Sequence, residues 1–366
     1  MKNIKNSALR LAATIVLRTI LVTVTLALLL VMGLCMVMNV IFNGPSPAAR
    51  DLLTMTLLEP SATKWIPALF MGEELVEQIR ADAENVDVLD DVSDGSQITI
   101  NNSAISGNSD EWAKYPDGIR IETIQGDTYT AHVMIIRDPS TVYLSTSTDN
   151  YSIDIPGTRI TKQIETEGAI AAINAGAFND DGTGGSYVGS LPVGLVVSDG
   201  KIAWDDGKIY EGFVGFNQDN VLVVANSMDA KTALSMGIRD GCCFGPVLLM
   251  NGKINQVEFS SNSGYNPRTA IGQRADGAVI FVCIDGRQVG SLGGTYSDLI
   301  DIMVEYGAVN ACNLDGGSSS VMLYRDNEGR YGDPGEVVMI NSYSLLQESP
   351  RRMPTFFMVK APTNED

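Results

Sequence analysis

Asn313-Leu314-Asp315-Gly316-Gly317-Ser318-Ser319-Ser320 ends an apolar stretch, residues 308–312, that leads out of an amphipathic run over residues 296–306. That run puts Leu299, Ile300, Met303 and Val304 on one helical face, and Gly307 follows as a C-cap. The pattern predicts a helix feeding a buried strand that stops at an aspartate. Two glycines after the strand permit positive φ and let a ligand approach backbone N–H groups. The serines add donors suited to phosphate or sugar oxygens. The plain structural alternative is a polar turn closed by the Asp315 carboxylate.

Three further runs have the same texture. Residues 279–284 form a second apolar strand, followed by Asp285-Gly286-Arg287. Two strands that deliver Asp285 and Asp315 at the same end could set two carboxylates across one cleft, the usual equipment for glycosyl transfer. The alternative for Asp285 is a capped hairpin turn. In Asn266-Pro267-Arg268-Thr269-Ala270-Ile271-Gly272, Pro267 fixes the backbone before Arg268, which suits a positioned guanidinium. An internal ion pair is the competing use of Arg268. Asn174-Ala175-Gly176-Ala177-Phe178-Asn179 closes another apolar strand with an amide and an aromatic ring, a pairing common in sugar sites and also in ordinary core turns.

Around these runs, short apolar segments alternate with Gly, Asp and Asn turns. Residues 119–124 and 129–137 read as a hairpin, as do 193–197 with 201–204, 212–216 with 221–224, and 247–250 with 253–255. Helices are expected at 160–167 and 296–306, and no fixed-period repeat occurs. The fold class is α+β: a strand-rich mixed-sheet domain with a few packed helices over residues 111–361, preceded by one transmembrane helix and a helical stem.

The first 18 residues carry Lys2, Lys5, Arg10 and Arg18 and no acid, and residues 19–42 carry no charge at all. At 1.5 Å per residue this run covers a hydrocarbon core of about 30 Å. It is longer than a signal-peptide apolar region, and the Pro45-Ser46-Pro47-Ala48-Ala49 that follows is a poor cleavage site. The expectation is a single-pass signal anchor, with residues 1–18 cytoplasmic and everything after Asn43 outside. Residues 43–110 read as a stem of short helices split by Pro60 and Pro67, then an acidic, solvated linker. Sparse cysteines favour a bacterial surface protein. Cys283 and Cys312 read as buried thiols, with a pair between them as the alternative. Sequons at Asn101 and Asn150 would matter only in a eukaryotic secretory pathway.

Composition excludes several functions. The 366 residues carry 25 basic and 44 acidic side chains, a net charge of −19, so no basic surplus is available to bind nucleic acid. A single histidine, His132, argues against a histidine triad or a multi-histidine zinc site, and its strand pattern reads as a satisfied strand residue. No cofactor is implied with certainty. A divalent cation, Ca²⁺, is possible at the acidic cluster from Asp326 to Asp333, although the EF-hand spacing is missing and a solvated loop is the plainer reading.

In their order along the chain, these runs resemble the phosphodiester glycosidase family, whose bacterial members often carry the label exopolysaccharide biosynthesis protein. The resemblance rests on Asn174 to Phe178, Pro192-Val193-Gly194, Gly245-Pro246-Val247-Leu248, Pro267 to Gly272, Asp285-Gly286-Arg287, Gly293-Gly294-Thr295, Leu314 to Ser320, and a closing Asn341 with Arg351-Arg352. It spans residues 170–359, about half the chain. Ala175 and Ala177 depart from the family pattern and bear on the sugar pocket. The resemblance implies hydrolysis of a sugar-1-phosphodiester between C1 and the phosphate oxygen. Asp315 and Asp285 would be catalytic. Asn174, Phe178, Arg268, Thr269, Arg287, Gly316, Gly317, Ser318, Ser319 and Arg352 would surround the substrate. The expected partner is a carbohydrate phosphodiester or surface polysaccharide, with the membrane engaged through residues 19–42. A non-catalytic surface-polysaccharide binding or assembly protein is the alternative.

Overall fold

A computed structural model of the chain describes residues 2–58, 63–84, 91–100, 112–179, 188–255, 264–343 and 349–361, with the side chains of all of these except 2–13 and 82–84. Pro60, most of the acidic linker, its boundary at residues 110 and 111, and the Asn101 sequon lie outside the described residues. The chain divides into two units, Met1–Asp82 and Ala83–Asp366.

The first unit is helical. Its helix Lys2–Asn43 contains a stretch, Thr14–Asn43, of mean hydropathy 2.8 that is long and apolar enough to cross a membrane. Three shorter helices follow, Pro47–Leu58, Ile66–Met71 and Glu73–Glu84.

Among the described residues the second unit is built on three large antiparallel sheets and a two-stranded ladder, Thr158–Arg159 with Arg352–Met353. The seven-stranded sheet runs in the order Ile119–Gln125, Thr130–Ile136, Val279–Ile284, Arg268–Arg274, Ala308–Leu314, Val247–Met250, Lys253–Ile254. One five-stranded sheet has the order Lys201–Asp205, Leu195–Ser198, Ile238–Cys243, Phe213–Asn217, Leu222–Ala225. The other has the order Glu336–Met339, Met322–Asp326, Ala171–Asn174, Thr355–Val359, Val142–Thr146. The expected hairpins all form, and the α+β, strand-rich reading holds.

Strand Val279–Ile284 is apolar at every position because both of its faces are buried. Val279, Phe281 and Cys283 pack with Ile271, Val214, Ile173 and Phe357 in a core shared by all three sheets. Ile280, Val282 and Ile284 point the other way, onto Leu299, Ile302 and Met303 of the helix Tyr296–Glu305. That helix opens with a capping box. Thr295 accepts the Asp298 N–H, and the Asp298 carboxylate accepts the Thr295 N–H at 2.6 Å. Helix Ile160–Glu167 covers the outer face of the second five-stranded sheet through Ile160 and Ile164.

The polar segment before the sheets holds a surprise. Val92 bridges Ala225, and Ser93 is buried with its N–H on the Val224 carbonyl at 2.9 Å. Thr99 donates to Ala275 at 2.8 Å. Residues read as solvated linker thus lie on the sheet domain, held by backbone pairing that hydropathy does not report.

Register decides where the chemistry gathers. Arg268 pairs with Ile284 on one side, and Thr269 pairs with Leu314 on the other. Strands Val279–Ile284 and Ala308–Leu314 are each antiparallel to the strand between them, so they run parallel and finish at the same end. Asp285 and Asp315 therefore emerge two strand spacings apart, roughly 10 Å between backbones, astride the start of Arg268–Arg274.

Candidate active site

The Asp315 turn is clamped by its backbone. The Asp315 carbonyl accepts the Asn174 amide at 2.5 Å and the Thr269 hydroxyl at 2.8 Å. The Asp315 N–H donates to Ala175 at 3.1 Å, and Gly317 N–H donates to Pro267 at 2.8 Å. Gly317 has φ +60, and a Cβ there would lie 3.3 Å from the Arg287 guanidinium. Glycine is needed at this position both for the backbone and for the close approach of the arginine. Likewise, a Cβ at Gly286 would sit 2.6 Å from the Pro267 nitrogen, so the two loops can meet only without one.

Ser318 is the meeting point of the outer groups. Its hydroxyl accepts from Arg351 at 3.2 Å, and its carbonyl accepts the Tyr343 hydroxyl at 2.5 Å. Arg351 also stacks over the Phe178 ring at 4.7 Å. Burial pushes the Tyr343 hydroxyl up against the opposing pull of Arg351, so it remains a neutral donor. Arg287, an exposed residue, donates to Asn266 at 2.9 Å. Half-buried Asp315, Gly316, Gly317 and Ser318 thus lie in one turn, with Arg287 against Gly317 and Arg351 on Ser318. This is a compact anion-accepting surface with a carboxylate in it.

Several residues expected to touch substrate are placed otherwise. Asn174 is wholly buried. Its amide donates to Thr269 and Asp315, and its carbonyl accepts the Val321 N–H, so it braces the turn instead of reaching a sugar. Thr269, also wholly buried, has the same bracing role. Arg268 is 2% exposed. Its guanidinium donates to the carbonyls of Gly294 at 2.8 Å and Gly264 at 3.1 Å and lies 4.1 Å over the Tyr296 ring. Ser319 is buried, and its N–H is spent on Gly316. Arg352 is exposed, pairs with Arg159 across a short ladder and donates to Gly157. Its neighbour Arg351 holds the place that the sequence reading gave to Arg352. Two adjacent arginines offer no local signal for choosing between them, because successive side chains of an extended chain point to opposite sides.

Asp285 is brought to the same end of the sheet but is 4% exposed. One carboxylate oxygen faces His132 Nε2 at 3.4 Å, and the other accepts the Ser342 N–H at 3.0 Å. His132 Nδ1 lies 3.1 Å from the Thr123 hydroxyl. The lone histidine, which its own strand pattern marked as unremarkable, is thus the partner of a site aspartate. Only the pairing of His132 with Cys283 across two strands reveals it. Through Ser342 this carboxylate ties the loop after strand Val279–Ile284 to the segment that carries Tyr343.

The acidic loop read as a possible Ca²⁺ site is held by backbone donors. Asp326 is buried, and its carboxylate accepts N–H groups from Tyr331 and Gly332. Burial opposes ionisation, but these donations prevail and keep the carboxyl below its ordinary value. Among the described residues no cluster of three or more His, Cys, Asp or Glu could hold a metal ion. Cys283 and Cys312 are free and buried, and burial pushes both thiols well up; it pushes Cys243 up to about 11. Thiols so shifted are poor nucleophiles.

A sheet-built site of this kind, with an aspartate and two guanidiniums on one glycine turn, suits a sugar-phosphate ester. Residues 167–360, more than half the chain, match the model of the phosphodiester glycosidase family, and the chain belongs to that family. The SPbeta prophage-derived uncharacterized protein YomE of Bacillus subtilis (strain 168) is 32% identical over 171 residues, 44% of this chain and 25% of that protein. The chain thus spans about a quarter of the length of that curated relative. The catalytic domain of zebrafish N-acetylglucosamine-1-phosphodiester alpha-N-acetylglucosaminidase, auto-inhibited by its pro-peptide, superposes with a TM-score of 0.53 at 18% identity, over 77% of this chain and 93% of that one. At that identity the likeness is one of fold.

Proposed function

We propose that this protein is a membrane-anchored, extracytoplasmic hydrolase of sugar-1-phosphodiester linkages in cell-wall or exopolysaccharide material. The observation that carries the reading is the half-buried Asp315 on a glycine turn bordered by Arg287 and Arg351. In the reaction, water adds to the sugar C1 and the bond from C1 to the phosphate oxygen breaks. The phosphate monoester leaves with the bonding electron pair. A phosphate monoester has a second pKa of about 6, so it departs with little acid assistance. What it needs is neutralisation of charge, which Arg287 and Arg351 supply. Asp315 supplies the carboxylate beside C1 that a cationic sugar or an activated water requires. Asp285, held by His132 and Ser342, positions the loop that carries Arg287.

The basic residues before the apolar helix support a cytoplasmic N-terminus and an extracytoplasmic sheet domain. The buried state of Asp285 favours one rival reading, in which the half-buried Asp315 alone faces a polysaccharide and binds it without cleaving it. The test is an activity screen of the full chain in detergent against glycosyl-1-phosphodiesters, following phosphate monoester release and the first-formed anomer by NMR. Release of a phosphate monoester supports the hydrolase. Binding without release, across pH and added divalent cations, supports the rival.

The two adjacent arginines give a sharper check. Arg351→Ala should lower turnover by about 10²-fold, the scale of losing one charge-stabilising donor. Arg352→Ala should leave kcat/KM close to the parent. Equal losses in both would overturn the assignment of Arg351.

A further inference from the structure

The stem carries an apolar surface that the site chemistry does not use. In helix Lys2–Asn43 Phe42 of the last turn is the buried residue, 2% exposed, while the side chains from Ile15 to Val37 stand open. Phe42 stacks on Phe70 of the short helix Ile66–Met71, with ring centroids 5.4 Å apart and planes 27° off parallel. Pro67 of that helix is also buried. On its other side Trp65 is 60% and Leu69 is 69% exposed. These two side chains are four residues apart and so share one face.

We infer that the helix Ile66–Met71 lies in the headgroup layer of a lipid bilayer, with Trp65 and Leu69 turned into the lipid. The inference rests on the reading that the first helix spans a membrane. The uncharged run 19–42 extends about 36 Å, slightly more than a hydrocarbon core of about 30 Å. Its end, at Phe42, therefore falls at the level of the headgroups. A paired amide marks the same level, Asn43 donating to Asn39 at 3.0 Å. Because Phe70 packs on Phe42, the short helix is fixed at that depth. Tryptophan prefers this layer, where its ring is buried and its N–H stays wet. Lys64, exposed beside it, has the length to reach lipid phosphates. Glu73 and Glu74 open the next helix and bring acidic groups back toward water. A lipid surface, continuous with that around the span, covers an exposed Trp and Leu pair of this kind. A protein partner would need a broader face.

Full-length protein, reconstituted in phosphatidylcholine vesicles with brominated acyl chains, tests this against a Trp65→Phe variant. Trp65 is exposed, and the variant keeps an aromatic ring there. Bromines just below the headgroups should quench a blue-shifted component of the emission that Trp65→Phe lacks. Bromines near the chain ends should quench it far less. If parent and variant are quenched alike and acrylamide reaches Trp65 freely, the helix stands in water and the inference fails. Shielding of Trp65 from both quenchers would mean that protein covers it, which also overturns the inference. An alkaline carbonate wash separates the underlying reading. A chain that stays in the vesicles with Trp65 unquenched keeps the span and loses the interfacial helix. A chain stripped from the vesicles loses both.

Discussion

Asp315→Asn is expected to abolish release of phosphate monoester from a glycosyl phosphodiester while leaving the melting temperature and ligand binding nearly unchanged. The backbone of Asp315, through its carbonyl and N–H, holds the turn to Asn174, Thr269 and Ala175. Asparagine keeps the size and loses the negative charge, and losing a positioned base or nucleophile costs about 10²–10⁴ or more in rate. Asp285→Asn should behave differently. Its carboxylate is buried between His132 and the Ser342 N–H, so this variant should melt earlier and lose turnover by displacing the Arg287 and Tyr343 segments. Kinetics and calorimetry on the two single variants and the double variant would separate these roles. If both variants keep the parental melting temperature and both lose turnover with no further loss in the double, the aspartates act as one catalytic unit. Unchanged turnover in the Asp315 variant would falsify its assignment.

Arg268→Lys is expected to lower stability more than any other conservative change at this end of the sheet. The sequence offered Arg268 either as a substrate-facing guanidinium or as one half of an internal ion pair. In the structure its planar fork joins two backbone carbonyls, of Gly264 and Gly294, while its face lies on Tyr296. A lysine ammonium cannot span both acceptors with that geometry or stack in the same way. Each buried acceptor left without a donor costs about 1–3 kcal/mol. Thermal unfolding should therefore show a clear drop in Tm, and turnover should fall because the loops that the fork holds carry Asn266 and the start of the capped helix. A variant with the parental Tm and lost turnover would restore the phosphate role.

Much of this protein was legible because its signals are local. Alternating apolar runs with Asp-Gly and Asn-Gly turns gave the hairpins, since turn chemistry and strand patterning act within a few residues. The helix Tyr296–Glu305 was legible from its apolar face, ending a residue earlier than expected, with Tyr306 as the C-cap. The segment around Val92 and Ser93 was not legible, because it is fixed by pairing with a strand more than a hundred residues away.

The sequence by itself determined the resemblance to the family, the strand-rich fold, the long apolar helix and the strand ends that carry Asp315, Asp285 and Arg268. Each of these follows from periodicity, charge or the fixed order of short motifs. Tertiary structure alone decided which side chains in those motifs face outward. Asn174, Thr269 and Arg268 turned out to be braces because neighbouring strands and loops place carbonyls and hydroxyls within their reach. Arg351, not Arg352, reached Ser318 because Phe178 offers its ring on that side and Gly157 offers a carbonyl on the other. His132 became the partner of Asp285 through the register of two strands. A motif can name the residues at a strand end, but burial and hydrogen bonding from distant segments divide them into those that hold the site and those that face its ligand.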